Sequence, residues 1–311
     1  MRILFTADLH IRIGQKNIPR VWAKKQYEIM FEEINRVFNE QECDLEVHGG
    51  DIFDKVPTME ELSTYIGYLW RDADRKRIIY DGNHEATKKG DTFLKYLQPM
   101  IPSKTSLIIE YILNKIVDIL PYADLHKLKN IEPIGNILFT HVRGNIPPHV
   151  KAEVDLELFD KWDIVFAGDL HAHSNSQRNI VYPGSPRTVS FHRNNVKLGV
   201  IVFDTDDYWN WTWHEIKVPQ LIRKTVDNPD NMIRTNFDHT IYELTGNVLD
   251  LAKIDKDSDL LDKKIIHNEQ PASLDLTNMT IDDELLKYLR EIIKLSELEV
   301  QEVMEVFYAN T

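Results

Sequence analysis

The stretch Ile3–Ile11, ILFTADLHI, sets an apolar run directly against an acid and a histidine. Ile3, Leu4 and Phe5 read as a buried strand, and Asp8 and His10 follow at its C-terminal end. Residues two apart on an extended chain project to the same side, so one carboxylate and one imidazole share a small volume. The pattern recurs along the chain. LEVHGG (45–50) leads into Asp51 and Asp54, RIIYDG (77–82) into Asn83 and His84, NILFT (136–140) into His141, and DIVFAG (163–168) into Asp169, His171 and His173. A single histidine beside a strand is more often a hydrogen-bonded structural residue than a ligand. Five corners of one kind are another matter, because unpaired polar side chains are costly to gather beside a hydrophobic sheet. Carboxylates, an amide oxygen and imidazoles without thiolate suit a pair of borderline-hard divalent ions such as manganese, iron or zinc. They do not suit a closed, cysteine-rich structural zinc site. The corners also lie at strand C-termini, where open α/β sheets bind ligands.

The surrounding pattern agrees with that placement. Trp22, Tyr27, Ile29, Met30, Ile34, Val37 and Phe38 recur near helical spacing, which predicts a helix over roughly 20–40. A second helix is expected over TMEELSTYIGYLWRDAD (58–74), opened by Thr58 with Glu61 three residues on, the signature of a capping box. Strand–helix–strand alternation implies βαβ units and mainly parallel pairing. Past residue 105 the runs shorten to strand-like pieces with little helical signal, which predicts a second sheet packed on the first. From Ile281 on, Leu285, Leu286, Leu289, Ile292, Ile293, Leu298, Val300, Val303 and Val306 mark a tail of one or two helices. That tail carries more apolar surface than its own length buries, so it packs on its own domain or docks a partner.

Composition narrows the setting. A chain of 311 residues has room for one large domain and a smaller one. No apolar run approaches the ~20 residues of a membrane span, and no signal-type leader is expected before Asp8. Cys43 is alone, which excludes an intramolecular disulfide framework and a thiolate zinc cluster. A soluble protein in a reducing cytoplasm is the expectation. The net charge of −13 counts against a surface coated in basic patches, yet it allows a local basic surface or positive charge supplied by metal ions.

Taken together, DLH (8–10), GGDIFD (49–54), GNHE (82–85), TH (140–141) and GDLHAH (168–173) resemble the five-motif signature of calcineurin-like metallophosphoesterases. Their order and spacing are similar to the SbcD-type nuclease subunits of SbcC–SbcD DNA repair complexes, in the smaller form that many phages encode. YPGSPRTVSF (182–191) strengthens the likeness, which covers roughly residues 1–215 well and the C-terminal third only in layout.

The resemblance implies an α/β fold: a four-layer metallophosphoesterase sandwich of two mixed sheets flanked by helices, with a small C-terminal α+β capping domain and a helical tail. The implied domains are 1–218 for the nuclease, 219–275 for a capping, DNA-positioning unit and 276–311 for a partner-binding tail. Carried over by position, Asp8 and His10 bind the first metal, Asp51 bridges, and Asn83 and His141 bind the second. His84 contacts the phosphate and protonates the leaving oxygen. The last motif departs from the family's Gly-His-x-His. Aligning on the strand end uses Asp169 and His171, and aligning on the His-x-His pair uses His171 and His173; the first register is preferred. Asp54 stands where this branch commonly has histidine. The implied cofactor is two divalent ions, Mn²⁺ first, with Mg²⁺, Fe²⁺ or Zn²⁺ as alternatives.

The implied function is a DNA exonuclease and endonuclease acting with an SbcC-like coiled-coil ATPase in recombination or repair, in the cytoplasm of a bacterium or a phage-infected host. Arg187, Arg193 and Lys88 are candidate substrate contacts, while Arg12, Lys16, Arg20, Lys24 and Lys25 offer a phosphate-tracking surface. A homodimer is expected through the two early helices, with Trp22, Tyr27, Tyr65, Tyr68, Leu69 and Trp70 as anchors, although core packing explains the same residues. The rival readings are a phosphatase or cyclic-nucleotide phosphodiesterase on the same fold, and a metal-binding scaffold that regulates an ATPase.

Overall fold

Ile3, Leu4 and Phe5 form a strand whose two faces are both covered, and all three are fully buried. In the computed structural model, which describes residues 1–86, 90–246, 251, 260–266 and 279–310, this is β1 (Arg2–Thr6). It pairs in parallel with β2 (Leu45–Gly49), which continues through β3 (Arg77–Tyr80) to β4 (Thr105–Ile108). On its other side β1 pairs antiparallel with β9 (Gly199–Asp204), and β9 with β10 (Asp207–Glu215). The result is a six-stranded mixed sheet in the order β10-β9-β1-β2-β3-β4. β5 (Val117–Leu120), β6 (Ile137–His141), β7 (Ile164–Gly168) and β8 (Ile180–Val181) build a second sheet in sequential order, parallel throughout these strands.

Strand alternation decides what each face meets. Leu4 points to the side covered by helices α1 (Arg20–Glu40) and α2 (Met59–Arg71), where it clusters with Tyr27, Met30, Ile34, Tyr65 and Leu69. Ile3 and Phe5 point the other way, into a second cluster with Tyr80, Phe139, Phe166 and Phe203 that glues the two sheets together. The far face of the second sheet is covered by Leu125, Leu128, Phe159 and Trp162, carried on 3₁₀ turns at Tyr122–Asn130 and Leu156–Lys161 or just after. Helices, sheet, sheet and short turns make four layers as expected, but only the first sheet is mixed, since β5–β8 are parallel throughout and their outer face is covered by turns. The sparse helical signal past residue 105 is explained, since the outer cover there is built from turns.

The capping box is present: Thr58 Oγ1 accepts from Glu61 N and Glu61 Oε2 accepts from Thr58 N. The other Glu61 oxygen accepts from Ile13 N at 2.6 Å, tying the start of α2 to the loop after β1. Of the anchors offered for a dimer, Tyr27, Tyr65, Tyr68 and Leu69 are consumed by the core, and Trp70 stays 55% exposed. No helix among the described residues is long and apolar enough to cross a membrane.

The chain divides by contact into two compact units, Met1–Leu244 with Asp255–Lys263, and Thr245–Ile254 with Lys264–Thr311. A three-stranded sheet of β11 (Leu221–Val226), β12 (His239–Gly246) and β13 (Leu261–Ile266) follows the sandwich. The boundary expected at 275 lies outside the described residues. The tail is helical from Ile281 to Lys287 and from Glu297 to Asn310, and Thr280 caps the first helix by accepting from Asp283 N. Leu289, Val300 and Met304 form its small core, while Ile281, Leu298 and Val306 are exposed.

One buried charge cluster locks β2 to its neighbours. Glu46 is fully buried and accepts from Arg75 Nη1 and Arg77 Nε, both at 3.0 Å, and pairs with His48 Nε2 at 2.8 Å and the Tyr68 hydroxyl. Burial works against the carboxylate, but His48, Arg77 and Arg75 outweigh it and hold Glu46 well below its ordinary range. A depressed carboxyl pKa contributes stability above the ordinary value of 4.5 and loses it as pH falls through the folded value. Glu46→Gln should therefore cost about 3–5 kcal/mol at pH 7, by stranding two buried guanidinium groups. Urea unfolding across a pH series checks this: the gap to wild type narrows on acidification below pH 4.5.

Candidate metal centre

The C-terminal ends of β1, β2, β3, β6 and β7 arrive together, and their corners turn sharply. Asp8, His10, Asp51 and Asp169 all have positive φ, at 59°, 42°, 52° and 101°. Left-handed backbone is uncommon for residues other than glycine and concentrates at functional sites. Neighbouring groups hold the corners in place. Asp8 N donates to Gly50 O at 3.1 Å and His10 N to Asp51 O at 2.9 Å. The buried Glu85 carboxylate collects Asp51 N, Phe53 N and Gly82 N at 2.8–2.9 Å. From the PGSPR stretch, Ser185 Oγ lies 2.8 Å from Asp8 O, and Arg187 Nη1 donates to His10 O at 2.8 Å. Gly82 is needed for close approach, since a Cβ there would stand 2.2 Å from Asp51 Oδ1.

Side chains converge on Asp51. Its Oδ2 lies 3.5 Å from His10 Nε2, 3.5 Å from His141 Nε2 and 3.8 Å from His84 Nε2. Asp8 Oδ1 lies 3.9 Å from both His10 Nε2 and His171 Nε2, and those two nitrogens are 3.0 Å apart. Asn83 Oδ1 meets His141 Nε2 at 3.1 Å. Two three-residue groups suited to a metal ion are Asp8, His10, His171 and Asp8, Asp51, His141; a third is His10, Asp51, His84.

The tautomers follow from the partners. His141 Nδ1 faces Gly49 O at 2.8 Å and His84 Nδ1 faces Asp54 O at 2.6 Å. A carbonyl oxygen only accepts, so both Nδ1 atoms carry protons and both Nε2 atoms are turned to the cluster. His10 Nδ1 is buried with no hydrogen-bond partner, and Asp8 and Asp51 are buried carboxylates. Burial pushes the Asp8 carboxyl up to about 8. At Asp51 burial acts in the same sense, but His141, His10 and His84 hold it well below the usual range. Burial lowers His10 and His171, whereas at His141 the charge of Asp51 overcomes burial and raises it. The groups gathered here are carboxylates, an amide oxygen and imidazoles. Oxygen and nitrogen donors of this kind, with no sulfur, fit divalent cations.

Asp8, His10, Asp51, Asn83, His84, His141 and His171 are thus brought together as the sequence predicts. His173 is not with them: its ring lies 5.5 Å from Trp211 and 5.4 Å from Trp213, with Nδ1 on Tyr182 O. Asp169 sends its backbone N–H to the Asp8 carboxylate, while its own carboxylate faces Arg143, with both contacts at 3.3 Å. Arg187 is buried, with Nε on Gln26 Oε1, so it braces the His10 corner and is covered from solvent. Arg193 pairs with Glu243 and borders a separate concavity on the three-stranded sheet. Lys88 lies outside the described residues. Asp54 is paired with Arg12 at 2.9 Å. Glu85, Ser185 and Arg143 were not singled out from the sequence. Glu85 sits inside GNHE and Ser185 inside YPGSPRTVSF, the signals that point near them; nothing in spacing marks Arg143.

A cavity of about 870 Å³ opens beside the cluster, lined by Asp51, Asn83, His84, Arg143 and Asp169 and walled by Ile146, Val150, Leu170 and Trp213. The family described as calcineurin-like phosphoesterase matches residues 1–203. A protein of Escherichia phage T5 named "Probable exonuclease subunit 1" is 41% identical over 317 residues, covering 98% of this chain and 97% of that one. Two solved structures are more distant. Yfce, a phosphoesterase from E. coli, is 12% identical, covering 70% of this chain and 100% of that one at a TM-score of 0.33. The nuclease MPE of Pseudomonas putida is 15% identical, covering 55% and 62% at a TM-score of 0.30.

Adding Mn²⁺ at about a hundred times its dissociation constant should stabilise the protein by about 2.7 kcal/mol through mass action. Calorimetry with and without chelator checks it. Asp51→Asn should lose the metal-dependent rise in Tm, and His173→Phe should keep it even if its baseline falls.

Proposed function

Because the chain belongs to the calcineurin-like phosphoesterase family, we propose that it is the nuclease subunit of a DNA-processing complex, cleaving internucleotide phosphodiesters as an exonuclease and endonuclease. The observation that carries the nuclease reading is 41% identity, over nearly the full length, to a phage protein named as an exonuclease subunit. The word subunit in that name supports a partner, which we take to be an SbcC-like ATPase acting in recombination and repair. In this reading 219–275 positions DNA and 276–311 docks the ATPase coiled coil. Exposed Ile281, Leu298 and Val306 on the tail helices favour such docking. A homodimer through α1 and α2 belongs to the same reading, with Val21, Met59 and Trp70 exposed there.

The residues divide the work. Asp8, His10 and His171 would hold one divalent ion and Asn83 and His141 a second, with Asp51 shared between them; manganese is the first choice. Such ions, when bound, withdraw charge from phosphate oxygens and make water a stronger acid. The protein's own part is orientation and proton transfer. His84 N donates to Asp51 Oδ1 at 2.9 Å, which leaves Oδ2 to the cluster. Asp54 O fixes the proton on His84 Nδ1, and the His10 ring stands edge-on to His84 at 4.7 Å, so His84 cannot rotate freely. Its Nε2 faces the cavity and the side chain is 35% exposed, open enough to reach substrate. Protonated at Nε2, His84 gives that proton to the departing oxygen and regains one from solvent.

Release of nucleotides from linear duplex DNA with Mn²⁺, beside bis(p-nitrophenyl) phosphate and p-nitrophenyl phosphate, tests the reading. His84→Ala should lower turnover ~10²–10⁴-fold while keeping the metal-dependent rise in Tm. Hydrolysis of the monoester alone would make the protein a phosphatase. Metal binding without any hydrolysis would make it a regulatory scaffold.

A further inference from the structure

Arg143 stands two residues beyond His141, at the end of β6, and shares the cavity wall with Asp51, Asn83, His84 and Asp169. Its main chain is fixed: Arg143 N donates to Glu153 Oε1 at 2.8 Å, and the other Glu153 oxygen accepts from Tyr122 OH at 2.9 Å. Its side chain is 41% exposed and leans on Asp169, Nε to Oδ2 and Nη2 to Oδ1, each at 3.3 Å. Charge-assisted hydrogen bonds of this kind normally close to about 2.7–2.9 Å. The pair is therefore loose, and it occupies only two of the five N–H donors that a guanidinium carries. A half-exposed, long ion pair stabilises little. Nor does Asp169 need it for placement, since its own N–H is already held by Asp8. The pair leaves a cation on the wall of the cavity that His84 also lines.

The charge balance gives that cation a use. Asp169 places a carboxylate where the family pattern has a neutral imidazole, which repels an anionic phosphate at the point where it must lie. Arg143 cancels that charge on the spot and keeps spare donors in the planar geometry that matches phosphate oxygens. Arg187 borders the same cavity, but its guanidinium is taken by Gln26 Oε1 and the His10 carbonyl, and Arg193 is paired with Glu243.

We propose that Arg143 is a substrate-binding residue whose guanidinium, propped by Asp169, takes a non-bridging oxygen of the phosphodiester in the cavity. Asp169 is then a positioning residue for Arg143. The proposal rests on the phosphodiesterase reading of the site, and two independent measurements separate their fates.

The first measurement is steady-state hydrolysis of duplex DNA and of bis(p-nitrophenyl) phosphate. Arg143→Ala should raise KM about 10- to 100-fold, the loss of a hydrogen bond to a charged group, and leave the Mn²⁺-dependent rise in Tm in place. Arg143→Lys should recover part of the loss, because it keeps the charge and gives up the fork. Asp169→Asn should raise KM less than Arg143→Ala and keep the metal effect. The second is binding of a labelled duplex oligonucleotide in chelator, read as affinity against salt. Removing one phosphate contact should lower the slope of log affinity on log salt by about 0.9, without any turnover. An unchanged KM and unchanged slope in a folded Arg143→Ala overturn the proposal, as does loss of the metal effect in Asp169→Asn, which would make Asp169 a ligand. If wild type hydrolyses no phosphodiester, the functional reading falls and the salt slope alone judges Arg143. Absence of both hydrolysis and oligonucleotide binding in wild type overturns both; where hydrolysis occurs without binding in chelator, KM alone judges Arg143.

Discussion

The site exists because two sheets pack face to face with their strand ends level. Phe5, Phe139, Phe166 and Phe203 fill the seam, with Phe5 and Phe139 centroids 5.4 Å apart and Phe166 and Phe203 4.3 Å apart. Polar contacts cross the seam near its C-terminal edge, among them Tyr80 OH donating to Thr140 O at 3.0 Å and His141 Nδ1 to Gly49 O at 2.8 Å. Aromatic packing sets the spacing and the hydrogen bonds set the register. Slip by one residue would send His141 to the other face of its strand and break both. Everything chemical in the molecule, from Asp8 to His171, inherits its position from that seam.

Two buried acids on neighbouring elements show how structure and function part. Glu46 is surrounded by Arg75, Arg77, His48 and Tyr68, so its charge is answered within the protein and its place is architectural. Asp8 is buried as deeply, yet the donors that reach its carboxylate are the Asp169 backbone N–H and imidazoles at 3.9 Å. Burial without adequate counter-charge is expensive. A fold tolerates it where something outside the chain completes the balance. Glu85 stands between these cases: its oxygens are filled by three backbone N–H groups, and its task is to hold the Asp51 and Gly82 corners together.

Much of this was legible from residue order alone. Strand ends that stop on Asp, Asn or His mark the cluster, and the Thr58–Glu61 spacing marks the start of α2. Both depend on local rules that sequence carries openly. The tertiary assignments were harder. Tyr27 and Tyr65 look alike as core or interface until the sheet they cover is known. Arg187 is offered as a phosphate contact by its place after the last motif, and only the structure adds that its guanidinium lies over the Tyr27 ring and on the His10 carbonyl at the edge of the cavity. His171 and His173 share one spacing, and only the ring environment separates them: one faces Asp8, the other lies beside Trp211 and Trp213. Arg143 belongs to no periodic pattern, because its importance comes from where β6 and β7 end relative to each other.

The left-handed corners at Asp8, His10, Asp51 and Asp169 have a consequence for substitution. Each resists its own backbone by roughly 1–2 kcal/mol, a penalty glycine would not incur. Glycine at any of them would relax the main chain and delete a polar side chain in the same step. Local backbone ease and side-chain chemistry therefore pull in opposite directions at these four points.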